Sequence, residues 1–230
     1  MRLALMQPYF LPYLGYWQLM SASSKFLVYD KVEYSSGGWI NRNRAFDDEI
    51  FTIPLKKHRN SAEIRSIEIS DKWPAERDKT LRKIRQFYAG AKNFYFAYPL
   101  IEDIFLYKDN MLKHFLGHSM QRIKKYLKIT TELQWASETF ITPGLKGKER
   151  VLAYCEKNRA ETYVNAPGGK VLYKKEDFKA IGVDLKFIES EKFTYNRKGH
   201  PEIFGLSILD VLMFNHREEV INFIGRYELI

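Results

Sequence analysis

The first thirty or so residues narrow the fold more than any other stretch of this chain. "RLALM" at 2–6 is a continuous apolar run, the pattern of a strand buried on both faces. "QPYFLPYLGYWQLM" follows, in which Pro8 and Pro12 stiffen a short connection before an apolar helical stretch through Met20. "KFLVYDKV" at 25–32 then reads as a second strand, with Asp30 near its end. Strand, helix and strand within such a length make a βαβ unit, whose usual form is parallel and right-handed. The same spacing sets the loop after the first strand at the carboxyl edge of a sheet, where open α/β folds bind ligands.

The rest of the chain extends this pattern. "GWINRNRAF", "EIFTIPLKK" and "AEIRSIEIS" alternate as three further strands joined by polar turns. "ERDKTLRKIRQFYAG", "NFYFAYPLIEDIFLY" and "NMLKHFLGHSMQRIKKYL" carry helical spacing, with interruptions expected at Gly90 and at the Tyr98-Pro99 step. They define a helical insertion over residues 73–128 within one domain spanning residues 1–230. "TTELQWAS" predicts a strand, then helix "KERVLAYCEKNR", strand "ETYVNA", turn "PGG", helix "KKEDFKAIG" and strand "VDLKFIE". Two helices broken near Asn215 close the chain. The expected class is α/β, a mostly parallel, Rossmann-like sheet with a helical middle segment and C-terminal helices.

Composition excludes several classes. With 45% hydrophobic and 28% charged residues, the chain has enough apolar side chains for a core and too many charges for a membrane-embedded fold. No apolar run reaches the roughly 18 residues of a spanning helix. The start imitates a signal peptide, but Gln7, Pro8 and Pro12 break its apolar stretch, so mature cytoplasmic protein is expected. The single Cys155 has neither a disulfide partner nor a C-x-x-C companion, which fits a reducing compartment and a small buried hydrophobe. His114 and His118, the one pair at ligand spacing, lack a nearby carboxylate, so no metal site is expected, and no cofactor is named. A net charge of +9 favours an anionic ligand, a phosphate-bearing molecule ahead of nucleic acid.

Five further motifs and one long loop carry chemistry. Tyr13-x-Gly15-Tyr16 stands where nucleotidylyltransferases place H-x-G-H after their first strand, with tyrosines for both histidines, so contacts to sugar or base are expected instead of triphosphate. In "WINRNR", a strand would put Trp39, Asn41 and Asn43 on one face and Ile40, Arg42 and Arg44 on the other, a set of ring, amide and guanidinium groups suited to a sugar or nucleotide. Lys146, Lys148 and Arg150 crowd a helix start and oppose its dipole unless an anion sits there. In "YVNAPGGK", Asn165 ends a strand and Gly168 and Gly169 let the backbone approach a ligand. Ser207, Asp210 and Phe214 share a helix stripe, where Asp210 caps a backbone, pairs with a cation or serves a site. "SEKFTYNRKGHPEIFG" is the longest irregular stretch, of a length that is often functional.

On these residues the whole chain resembles the WbqC-like family. The resemblance rests on "QPYFLPYLGYWQL", "FLVYDKVEY", "GWINRNR", the block from "GLKGKER" to "VDLKFI", and "LSILDVLMFN". It adds Gln7, Tyr173 and Asn215 to the candidate site and repeats Tyr13, Gly15, Tyr16, Asp30, Trp39, Asn41, Arg42, Asn43, Lys146, Arg150, Gly169, Ser207 and Asp210. It implies a place in O-antigen or other surface-polysaccharide biosynthesis. The expectation is a transferase acting on a nucleotide-linked sugar, passing an acyl or aminoacyl group from a donor to a sugar amine. Asp30 or Asp210 would be the general base, Arg42 with Lys146 or Arg150 would hold phosphates, and Trp39 or Tyr13 would stack. Nucleotidyl transfer, and non-catalytic binding of an anionic glycan or nucleic acid, are the alternatives.

Overall fold

The computed structural model describes residues 1–230. Strand β1 (Arg2–Met6) leads through helix α1 (Leu14–Ala22) to β2 (Lys25–Val28), and the two strands pair in parallel. A hairpin of β3 (Arg42–Ala45) and β4 (Glu49–Thr52) stands apart from the main sheet as a two-stranded ribbon. Three helices follow, α2 (Trp73–Tyr88), α3 (Phe94–Leu106) and α4 (Leu112–Tyr126), before β5 (Glu132–Trp135) returns to the sheet. Then come α5 (Gly147–Lys157), β6 (Thr162–Asn165), α6 (Lys175–Lys179), β7 (Asp184–Ser190), α7 (Ile208–Phe214), α8 (Arg217–Ile224) and β8 (Tyr227–Leu229).

The six-stranded sheet has the order β5-β2-β1-β6-β7-β8, parallel throughout except for β8, an antiparallel edge beside β7. The chain winds outward one way from β1 through β2 to β5, then the other way through β6 and β7. Its direction reverses between β1 and β6, the place where open α/β sheets form a crevice beyond the strands' carboxyl ends.

Alternation along β1 explains its uninterrupted apolar run. Leu3 and Leu5 point into one layer, with Tyr154, Cys155 and Phe178 of α5 and α6, while Ala4 points into the other, with α1, α7 and the middle helices. Apolar side chains of α2, α3 and α4 belong to that second core together with those of α1, α7 and α8. Cys155 is buried as expected, and burial together with Glu156 pushes its thiol up to about 12, so it is held as the uncharged thiol. No helix is long and apolar enough to cross a membrane.

Three local expectations are corrected. "AEIRSIEIS" forms a single 3-10 turn at Ile64–Ser66 flanked by isolated bridges, not a strand. Its buried Ile64, Ile67 and Ile69 fall three and then two apart, so the turn and the extended ends each contribute part of the alternation. Pro99 does not interrupt α3, which runs unbroken across it. Proline removes one N–H from the helix ladder, and the burial of Tyr98, Leu100, Ile101, Ile104 and Phe105 outweighs that loss. The chain closes on the short edge strand β8 after the two helices expected at its end; its three residues, "YEL", carry too little alternation to read as a strand.

Candidate ligand-binding site

The loop after β1 and the long loop after β7 face one another at the carboxyl edge of the sheet. Tyr13 is the N-cap of α1 but offers the helix no side-chain hydrogen bond. Tyr13, Leu14 and Gly15 open there into a pocket of about 120 Å³. Gln18 and Ser190 also line it, with Ser190 Oγ donating to Gln18 Oε1 at 2.5 Å. Phe193, Thr194, Tyr195 and Arg197 form the opposite wall, continued by Glu202 to Leu206.

Gly15 has a steric reason to be glycine. A Cβ at this position would lie 2.5 Å from Cε2 of Tyr13, so the bare backbone lets the phenol ring fold over the first turn of α1. The ring stays 38% exposed and its hydroxyl has no protein partner, while burial raises its pKa and keeps it a proton donor. The second tyrosine of the motif lies elsewhere. Tyr16 is buried against Trp17 and Phe26, and its hydroxyl donates to the Gln7 carbonyl at 3.0 Å.

The outer wall hangs from Asp210, which is fully buried on α7. Tyr88 and Tyr195 each donate to its carboxylate at 2.7 Å, and Arg197 donates from Nε at 3.1 Å and from Nη2 at 3.0 Å. Burial and the charge of Asp210 raise both phenols far above their ordinary range, so they remain neutral donors. Arg197 also donates to the Phe46 and Pro201 carbonyls. Asp210 therefore takes the cation-paired alternative expected of a carboxylate in an apolar helix.

The loop after β1 is stitched from below by polar side chains picked out in the sequence. Asn43 Nδ2 donates to the Phe10 and Leu11 carbonyls at 2.9 Å, and Ser207 Oγ donates to the Leu11 carbonyl at 2.6 Å. Leu11 has φ 44°, left-handed backbone that a leucine adopts only under constraint, and these bonds supply it. Ser207 is the N-cap of α7, not a member of its stripe, and accepts from the Leu209 N–H. Asn41 accepts from Tyr34 and donates to the Ile53 carbonyl, and Asn215 caps α7 through the Val211 carbonyl.

Trp39 is placed differently from the strand expectation. Because β3 starts only at Arg42, Trp39 sits in the bend before it, and its ring centroid lies 5.9 Å from the guanidinium carbons of both Arg42 and Arg44. It keeps company with the arginines, while Asn41 and Asn43 point inward. Arg42 spends its guanidinium on the Gly37 and Gly38 carbonyls.

A second polar cluster occupies the carboxyl ends of β2 and β5. Asp30 is fully buried and accepts from the Ser137 N–H at 3.0 Å, from Ser137 Oγ at 2.7 Å and from Lys113 Nζ at 3.1 Å. Lys113 lies over the Trp135 ring at 4.7 Å. Nearby, Arg150 donates to the Leu145 and Lys31 carbonyls and to Tyr29 Oη, so it braces loops and is not a free phosphate contact. Lys148 pairs with Asp177 of α6 at 2.9 Å, and Lys146 is exposed at the N-cap of α5. Gly169 is required by Asn165, whose Nδ2 would lie 2.5 Å from a Cβ there; Gly168 is open to solvent. Tyr173 packs edge-on against Tyr163 and Phe178.

The candidate residues thus divide. Tyr13 and Gly15 line the pocket, and Ser207, Asn43 and Asp210 hold its walls. Asp30, Arg150, Asn165, Gly169 and Tyr173 gather at neighbouring strand ends. Arg197, Tyr195, Tyr88, Glu202, Lys113 and Ser137 were missed. The long loop and its "NRKGH" basic run were the available signal for Arg197.

A model of the WbqC-like protein family matches residues 7–222. The chain belongs to that family. An uncharacterized protein of Mycobacterium tuberculosis (strain ATCC 25618 / H37Rv) is 24% identical to this WbqC-like chain over 224 residues, which is 93% of each. No solved structure matches it.

Proposed function

We propose that the protein is a cytoplasmic transferase of surface-polysaccharide biosynthesis. It binds a nucleotide-linked sugar at the carboxyl edge of a Rossmann-like sheet and passes an acyl or aminoacyl group to a sugar amine. The observation that carries this reading is the pocket at the uncapped start of α1, walled by Tyr13, Phe193 and Phe204. Aromatic faces suit a base or sugar ring, and unpaired N–H groups at a helix N-terminus suit a diphosphate. The sheet supports the location, because ligands of open α/β folds sit beyond the carboxyl ends of the strands, where the loops after β1 and β7 meet. Family membership supports the pathway.

In this scheme Asp30 and Asp210 do not touch substrate. Both carboxylates are closed to solvent and occupied by their donors, so they are positioning residues. Glu202 is the carboxylate in the pocket lining, and we assign it the proton of the attacking amine, as the new C–N amide bond forms and the bond between the acyl carbon and the donor's leaving group breaks, that group departing with the bonding electrons. The Tyr13 hydroxyl, free and protonated, serves as a donor to the sugar or to the acyl oxygen.

Nucleotidyl transfer is the weaker reading, since burial of Tyr16 leaves no second phosphate contact in the Tyr-x-Gly-Tyr motif. Incubation with nucleotide-linked amino sugars and activated acyl or aminoacyl donors tests the proposal, with mass spectrometry of the sugar as readout. An acyl-sized mass gain that Glu202→Gln abolishes while binding persists is the expected result. No binding across a broad panel of nucleotide-linked sugars would end it, and pyrophosphate release from a nucleoside triphosphate would replace it with the second reading.

A further inference from the structure

The turn after β6 presents its apolar side chains outward. Val171 is 88% exposed and Leu172 is 66% exposed, although both belong to the hydrophobic class that normally lines a core. They are adjacent, at the end of a 3-10 turn (Pro167–Val171) whose Gly169 is buried against β7 while these two side chains stand in solvent. Phe140, 74% exposed, lies in the connection between β5 and α5, at the carboxyl edge of the same sheet.

The surroundings of this tip are basic. Lys170 precedes the pair, Lys174 and Lys175 follow Tyr173, and all three lysines are exposed. Lys148 on α5 reaches Asp177 on α6, which brings the exposed Lys146 at the start of α5 to the same side of the sheet. Glu149 and Glu176 are the exposed acids among them, so positive charge prevails.

We propose that this tip docks the protein onto an anionic lipid bilayer surface, with Val171 and Leu172 entering the headgroup boundary and the surrounding lysines contacting acidic headgroups. An apolar pair ringed by cations matches an interfacial site, where apolar burial and attraction to anionic lipid act together. A protein partner is a poorer match, because a stable interface takes about 800 Å² from each side and this projection is two side chains wide. The protein lies on the surface and does not span it. Docking is independent of the sugar-transfer reading, so either can fail alone.

Co-sedimentation of the full chain with phosphatidylglycerol-containing vesicles, and with pure phosphatidylcholine vesicles, tests the proposal. Binding to the anionic vesicles, weak binding to the neutral ones and loss at high salt are expected. Val171→Asp with Leu172→Asp weakens binding at least tenfold at an unchanged melting temperature, since both side chains are already in solvent. Lys174→Glu weakens it several-fold, whereas Lys125→Glu, the same charge change at the far end of α4, leaves it nearly intact. Absence of vesicle binding overturns the proposal, as does equal loss in the Lys125 and Lys174 variants, which marks general basic adsorption. Full binding by the Val171→Asp, Leu172→Asp protein also overturns it.

Discussion

Arg197 Nη2 and Asp210 Oδ2 lie 3.0 Å apart in a side-chain pair almost sealed from solvent, and this pair fastens the loop after β7 to α7. The outer wall of the pocket is built from that loop, Arg197 included, so the shape of the pocket depends on this contact.

Removing one partner leaves a buried charge without its counterion. Asp210→Ala or Arg197→Met should each destabilise the fold by about 3–5 kcal/mol, read from urea unfolding. Asp210→Leu combined with Arg197→Met should recover most of that loss, because an apolar pair leaves no charge to compensate. A double variant no more stable than the singles would show that the hydroxyls of Tyr88 and Tyr195, and not the ion pair, dominate the site.

The same network predicts a loss of stability in base. Tyr88 and Tyr195 have folded-state pKa values raised by burial and by Asp210, whereas an unfolded tyrosine titrates near about 10. Below that value both states hold the proton and the contribution is complete. As pH rises above it the unfolded state releases protons that the folded state retains, so stability falls. Melting temperatures measured from about pH 8 to about pH 11 should decline, and Tyr195→Phe should flatten the decline.

Gly15→Ala should act through Tyr13. The new methyl meets the ring at a distance no packed atoms tolerate, and the ring must swing away from the pocket. Ligand affinity should drop about tenfold with little change in melting temperature, since alanine favours the helix by up to about 1 kcal/mol. In the background of Tyr13→Ala the same substitution should cost almost nothing further, a coupling that a double-mutant cycle measures.

Lys113→Met should unfold the protein more easily by about 3 kcal/mol, because Asp30 loses its cation while remaining buried. Ser137→Ala should cost about 1–3 kcal/mol by removing the hydroxyl donor but not the backbone one. Urea unfolding of each separates these values. Equal, negligible effects would mean that water replaces both groups around Asp30.

The parallel frame could be read in advance because it is written in apolar spacing. "RLALM" and "KFLV" cannot be satisfied except by burial, and the helices between and after them repeat at their own period. What could not be read is which distant groups meet. Tyr88 and Asp210 are 122 residues apart in the chain, and nothing in "LDVLM" names the phenol that reaches its carboxylate. Lys113 sits in an ordinary basic helix, and only the fold lays it over Trp135 beside Asp30. The neighbours of Trp39 are hidden for a smaller reason. The strand begins only at Arg42, and side chains before a strand obey no two-residue period, so Trp39 sits with the arginines and not with Asn41 and Asn43.

The position of β1 bears on how the polypeptide assembles during synthesis. Its register sets Arg2 against Thr162, so the central strand is made long before the neighbour that completes one of its two edges. Until β6 emerges, "RLALM" can be sheltered on one edge only, by β2 arriving through α1. The unfilled edge is a template for mispairing between nascent chains. Pairings so distant along the sequence also close slowly. Production of this protein should therefore respond to chaperone capacity and to translation rate more than to the stability of the finished fold.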